Sequence, residues 1–228
     1  CIDTSTRYAS VALTHGPNVI KEVAWHSSHN HTLELASTVA AMLEDAGASV
    51  SDIDNLIVAK GPGGFSALRV GMGFAKGLAE SIGILLVGVS TLEVEAACFF
   101  DTVQESPLCP MLEVGRERFA WSLYERTSAE WLLSTIEQVT TLEAIVAAAP
   151  EGTLFCGEGA WQAVDRLQEL GRDKETVIAT APPTRRPLIL SALGLRTLAK
   201  GEVADSTAME PNYLRQPSIT MPSTTKPK

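Results

Sequence analysis

Lys60-Gly-Pro-Gly-Gly-Phe-Ser-Ala-Leu-Arg-Val-Gly-Met-Gly-Phe-Ala-Lys-Gly-Leu-Ala79 opens as a glycine-rich turn and continues as a stretch almost free of polar side chains. The run before it, Leu56-Ile-Val-Ala59, is apolar and β-branched, as a buried strand is. Strand, glycine turn and helix in that order can cradle a phosphate at the helix N-terminus. Gly61 and Gly63 are therefore weak candidates for phosphate contact, with Asp3 at the end of an earlier strand. The turn lacks the lysine and hydroxyl of a P-loop, since Phe65 follows Gly64, and its spacing is not that of a dinucleotide fingerprint.

The helix after the turn is the more informative part. Gly71, Gly73 and Gly77 lie inside it, and each costs about 1 kcal/mol relative to alanine. Ala67, Gly71, Ala75 and Ala79 recur every four residues, and Gly73 and Gly77 form a second small pair. Small stripes let another backbone approach closely. Leu68, Val70, Met72, Phe74 and Leu78 cover most of the remaining circumference, so the helix must be buried nearly all round. One side can face a sheet and the other a second protein. The expectation is that a large charge at Gly71 or Ala75 abolishes pairing and leaves the fold intact. The competing reading is a fully internal helix.

With 228 residues the chain suits one large domain or two small ones. Hydrophobic residues make up 45% and charged residues 20%, an ordinary globular composition. The net charge of −9 is concentrated before residue 107, which argues against direct high-affinity contact with nucleic acid. Cysteines stand at 1, 98, 109 and 156 with no Cys-x-x-Cys pair, as reduced thiols of a cytoplasmic protein do. No signal peptide is read. The apolar run Ile82 to Val89 is too short to span a bilayer. Cys1-Ile-Asp-Thr reads as the interior of a strand that opened upstream, rather than as an autoprocessed nucleophile.

Hydrophobic periodicity predicts strands at 1–3, 8–14 and 19–25, a helix over 32–46, a strand at 54–60, a helix over 67–81, a strand at 85–89 and a helix over 91–100. The pattern then restarts. Strands are expected at 108–114, 119–125, 131–138, 153–156 and 176–179, with helices over 140–149, 161–170 and 186–200. That gives an α/β chain with lobes at 1–103 and 104–215, the last helix able to pack back on the first lobe, and a flexible tail at 216–228. His26, His29 and His31 crowd one loop, but no carboxylate or cysteine stands in ligand register with them. They read as the solvated start of a helix, and no metal site is assigned. No Ser–His–Asp spacing, acid pair on a helical face, or His-Glu-x-x-His is found.

Asp3-Thr-Ser-Thr6, His31-Thr-Leu-Glu-Leu35, Gly61-Pro-Gly-Gly-Phe-Ser-Ala-Leu-Arg-Val-Gly71, Gly88-Val-Ser-Thr-Leu92 and Glu210-Pro-Asn-Tyr-Leu-Arg215 follow in order. Together they resemble the TsaB (YeaZ) family, with mild departures at Gly64, Ser66 and Ala67. The resemblance implies an actin-like ATPase (ASKHA, ribonuclease H-like) fold in two lobes, each a mixed sheet with helices. It implies a bacterial, non-catalytic subunit that pairs with a TsaD-like enzyme and a TsaE-like ATPase. That assembly transfers threonylcarbamoyl to N6 of the adenosine beside the anticodon of tRNA, which is met only through the complex. The family pairs through its first two helices. The expected partner-binding residues are therefore Thr32, Leu35, Ala36, Val39, Ala67, Val70, Gly71, Phe74 and Ala75, and a homodimer can use the same face. No cofactor is required, and ATP or ADP at the partner interface is left open. Glu113-Val-Gly115 replaces the Asp-Ala-Arg common in relatives, which weakens any nucleotide role for the second lobe. The rival reading is an actin-like small-molecule kinase or ATP-dependent hydrolase that works alone, with Asp3 positioning Mg-ATP.

Overall fold

The computed structural model describes residues 1–28, 31–201 and 208–214. The tail predicted at 216–228 and His29 lie outside the described residues. Strands β1 (Ile2–Asp3), β2 (Tyr8–His15), β3 (Asn18–His26), β4 (Asn55–Ala59) and β5 (Leu85–Val89) form one sheet in the order β3-β2-β1-β4-β5. The meander β1-β2-β3 is antiparallel, while β4 pairs parallel to β1 and to β5. Parallel pairing requires a crossover. Helices α1 (His31–Asp45) and α2 (Phe65–Ile82) supply it and cover one face.

The second sheet runs β8-β7-β6-β9, from β6 (Leu108–Glu113), β7 (Phe119–Arg126), β8 (Trp131–Thr140) and β9 (Leu154–Cys156). It repeats the logic of the first, with antiparallel hairpins and one parallel pair, β6 with β9. Helices α4 (Leu142–Ala148), α5 (Gly157–Gln162) and α6 (Val164–Glu169) complete a core around Met111, Trp121, Ile145, Phe155 and Leu167.

Helix α3 (Thr91–Ala97) sits between the sheets. Its Leu92 and Ala96 pack with Leu112, Ala120 and Tyr124 of the second sheet, and its Val94 packs with Val87 and Val89 of the first. The last helix, α7 (Pro187–Ala199), returns to the first sheet, where Leu190 and Leu193 meet Ile57, Ala59 and Val87. This is the α/β, two-sheet actin-like architecture, each sheet with helices on both faces.

Four local readings change. Helix α3 stops at Ala97, where 91–100 was expected. The 161–170 segment is two short helices, the first opening at Gly157. Residues 176–179 form no ladder strand, only a bridge from Val177 to Phe155. Helix α2 begins at Phe65, two residues before the predicted start.

Candidate partner-binding face and interlobe cleft

Helices α1 and α2 pack side by side on the first sheet, and their inward faces are set by size. Leu35, Met42 and Leu43 of α1 and Leu68 and Met72 of α2 fill the core. The stripe Ala67, Gly71, Ala75 and Ala79 is also internal, with Ala75 at 0% exposure. A methyl group placed on Gly71 would collide with Thr4 Oγ1. That hydroxyl donates to the Ala67 carbonyl at 2.7 Å. The stripe brings α2 down onto the β1 turn, so it serves the inside of the protein.

This corrects the expectation for four residues. Leu35, Ala67, Gly71 and Ala75 face the core and are not surface residues. Thr32 and Ala36 are exposed, while Val39, Val70 and Phe74 are half-buried at the edge of the first-sheet core. A charge at Gly71 would break the fold before it reached any partner.

The outward face carries the other small pair. A Cβ at Gly73 or Gly77 would meet nothing within 4 Å. Neither residue has a positive φ. Two helical glycines with no steric or conformational reason in the monomer cost about 2 kcal/mol together. Ala36, Ala40 and Ala41 and the 68% exposed Leu33 of α1 are also open to solvent. These residues are small or apolar, with Arg69 near one end of α2 and Glu80 near the other. Arg69 lies over the Phe65 ring at 4.0 Å, and its Nε donates to the Tyr213 hydroxyl at 3.1 Å. Sequence reasoning noticed Gly73 and Gly77 but not Leu33, Ala40 or Arg69. A flag was available in the two helical glycines off the main stripe.

The cleft between the lobes has a volume of about 850 Å³ and is lined by the Ser5–Tyr8 turn, Pro62–Phe65, Glu113–Arg116 and Tyr213, among others. Its glycine loop is tied to the β1 turn rather than splayed to receive a ligand. The Gly64 N–H donates to the Ser5 carbonyl at 2.7 Å, and a methyl on Gly63 would strike that same oxygen. The Gly61 carbonyl accepts from Thr91 N at 2.9 Å. Gly61 and Gly63 thus serve close packing, and the phosphate role expected of them has no backbone donors set aside for it at Gly64.

Asp3 is 2% exposed and its two oxygens are engaged. Oδ1 accepts from Ser5 N at 2.8 Å and from the Ser5 hydroxyl. Oδ2 accepts from Arg185 Nε at 2.8 Å. Arg185 Nη1 donates to Glu158 Oε1 at 2.7 Å and lies 3.5 Å from Glu95 Oε2, and Nη2 donates to Thr6 Oγ1 at 2.9 Å. Burial pushes the Glu95 carboxyl up to about 7, against the pull of Arg185 and the Thr184 hydroxyl bond. Burial works against the Arg185 charge too, but Asp3, Glu158 and Glu95 outweigh it and raise its pKa. Among the described residues no group of three or more His, Cys, Asp or Glu is arranged to hold a metal ion. His26 is stacked edge-on against Tyr8, 5.0 Å between ring centres, and His31 opens α1.

Residues 21–214 match the family model described as TsaD: tRNA N6-adenosine threonylcarbamoyltransferase. The chain is 28% identical over 224 residues to the tRNA threonylcarbamoyladenosine biosynthesis protein TsaB of Bacillus subtilis (strain 168), covering 94% of this chain and 92% of that one. The TsaB of Escherichia coli (strain K12) is 27% identical, with 94% and 93% covered. This chain belongs to the TsaB (YeaZ) family. A solved structure described as YeaZ from Pseudomonas aeruginosa superposes with a TM-score of 0.79 at 25% identity, covering 93% of this chain and 97% of that one. A tRNA N6-adenosine threonylcarbamoyltransferase of Syntrophus aciditrophicus (strain SB) is 35% identical over 99 residues, 42% of this chain and 28% of that enzyme. The family is one of tRNA threonylcarbamoyladenosine biosynthesis. No helix among the described residues is long and apolar enough to cross a membrane.

Proposed function

We propose that this TsaB-family chain is the non-catalytic subunit that docks a TsaD-like enzyme on the exposed face of α1 and α2. With a TsaE-like ATPase it supports transfer of threonylcarbamoyl to N6 of the adenosine adjacent to the anticodon. The observation that carries the reading is the open pair Gly73 and Gly77, whose missing side chains serve nothing inside the monomer. The same face can hold a second copy of the chain when the enzyme is absent. Four free cysteines suit a reducing, cytoplasmic setting.

The reading as an ATP-using enzyme acting alone draws only on the size of the cleft. It needs the Asp3 carboxylate for Mg-ATP, and Arg185 and Ser5 already take both oxygens. Size-exclusion chromatography with light scattering, on the chain alone and mixed with the TsaD homologue of the same organism, tests the proposal. A peak at the heterodimer mass supports it. Separate elution at micromolar concentrations, or ATP turnover lost in Asp3→Ala, overturns it.

A further inference from the structure

Arg185 reaches four elements from both halves of the molecule. It precedes α7 and is 5% exposed. Its Nε meets Asp3 at the end of β1, and its Nη2 meets Thr6 in the turn that follows. Its Nη1 meets Glu158 on α5, beneath the second sheet, and lies near Glu95 on α3, the helix between the sheets. Thr6 itself donates to Glu158 at 3.0 Å, so the two halves also touch directly at this point. A guanidinium can make such a set of bonds because its donors project from a rigid plane in several directions. A lysine at the same place would carry the charge without the reach.

Burying one cation among three carboxylates is a poor way to gain stability, because desolvation takes back most of the attraction. Its rigid fork of donors does hold its partners in fixed positions. We propose that Arg185 is an interlobe latch, a cation belonging to the chain that fixes the approach of the two sheets, and hence the width of the cleft, with no ligand needed to bridge them. The latch also reaches the first turn of α2. Asp3 holds Ser5, and the Ser5 carbonyl holds Gly64 N at the start of that helix. A second tie, from the Ser90 hydroxyl before α3 to Glu137 of β8, also joins the second sheet to the start of that helix. The proposal does not depend on any partner.

The test separates a latch from a mere counter-charge. Arg185→Met leaves the carboxylates uncompensated and should lower thermal stability. The triple variant Arg185→Met/Asp3→Asn/Glu158→Gln removes the repulsion, and Arg185→Lys keeps the charge without the fork. Hydrogen exchange read by mass spectrometry is expected to be about ten-fold faster over 91–97 and 157–162 in both. Exchange within β2 and β7 should be unchanged, and small-angle scattering should show a larger radius of gyration. Recovered thermal stability in the triple variant with exchange still fast is the result expected of a latch. Wild-type exchange and radius in folded Arg185→Lys would overturn the proposal, and that outcome is readable even if the other variants fail to fold.

Discussion

Gly71 rests against Thr4 so closely that the hydroxyl of Thr4 occupies the space a side chain at 71 would need. The same hydroxyl bonds the Ala67 carbonyl one turn earlier in α2. Gly71→Ala must therefore push α2 off the β1 turn or break that bond. A loss of about 2–4 kcal/mol is expected from overpacking and the displaced hydrogen bond together. Urea titration followed by circular dichroism measures it.

Gly73→Ala and Gly77→Ala should do the opposite. With open space at both Cβ positions, each is expected to stabilise the isolated chain by about 0.5–1 kcal/mol. In a chain of this size that is a rise of roughly 1–4 °C in melting temperature, measurable by differential scanning calorimetry.

Charge on the same two positions tests pairing without touching the core. Gly77→Glu should keep its circular dichroism spectrum and lose co-elution with the TsaD homologue, with the dissociation constant raised at least about 100-fold, as for a buried unpaired charge at an interface centre. Isothermal titration calorimetry gives the number. A folded Gly77→Glu variant that binds like the wild type would remove α2 from the interface.

Glu95 gives the fold a pH dependence in the neutral range. Its carboxyl titrates near 7 in the folded chain, above its ordinary 4.5, because burial disfavours the charged form. Arg185, Glu158 and Asp3 face it, and Cys98 and Cys156 lie close by. Its contribution is full below pH 4.5, declines as the pH rises through 7, and is then level. In Glu95→Gln that slope should disappear. Relative to the wild type, the variant should gain about 2–3 kcal/mol between pH 4.5 and pH 8. Urea midpoints collected across that range check the difference.

Gly194 faces Ile57, and a side chain there would collide with it. Gly194→Ala should loosen α7 from the first sheet at a cost of about 1–3 kcal/mol. Limited proteolysis should then cut within 187–199 before anywhere else in the first lobe.

Most of the architecture was legible because period-2 and period-3.6 patterns are local. The strands and helices around 8–25, 32–46 and 85–89 needed only neighbours in sequence. The orientation of α2 did not follow from such a pattern. Both of its stripes consist of small residues, and the residue that decides between them, Thr4, stands 63 positions before Ala67. A stripe of alanine and glycine says that something approaches closely, but not whether it is the chain's own backbone or another chain's. Arg185 was missed for a related reason. Its partners come from residues 3, 6, 95 and 158, and no window holds two of them beside it. The trace was Thr184-Arg-Arg-Pro187, a basic pair at the head of a largely apolar helix.

The return of α7 to the first sheet also orders the birth of the protein. A ribosome releases Ile57, Val87 and Val89 long before Leu190 and Leu193, which cover them. At about 5–20 residues per second the whole second lobe is synthesised in the interval, several seconds during which that apolar sheet face is covered only in part, by Val94 of α3. The half of the molecule that begins first is thus finished last. A nascent chain stalled before 187 should draw chaperones to its oldest strands rather than its newest.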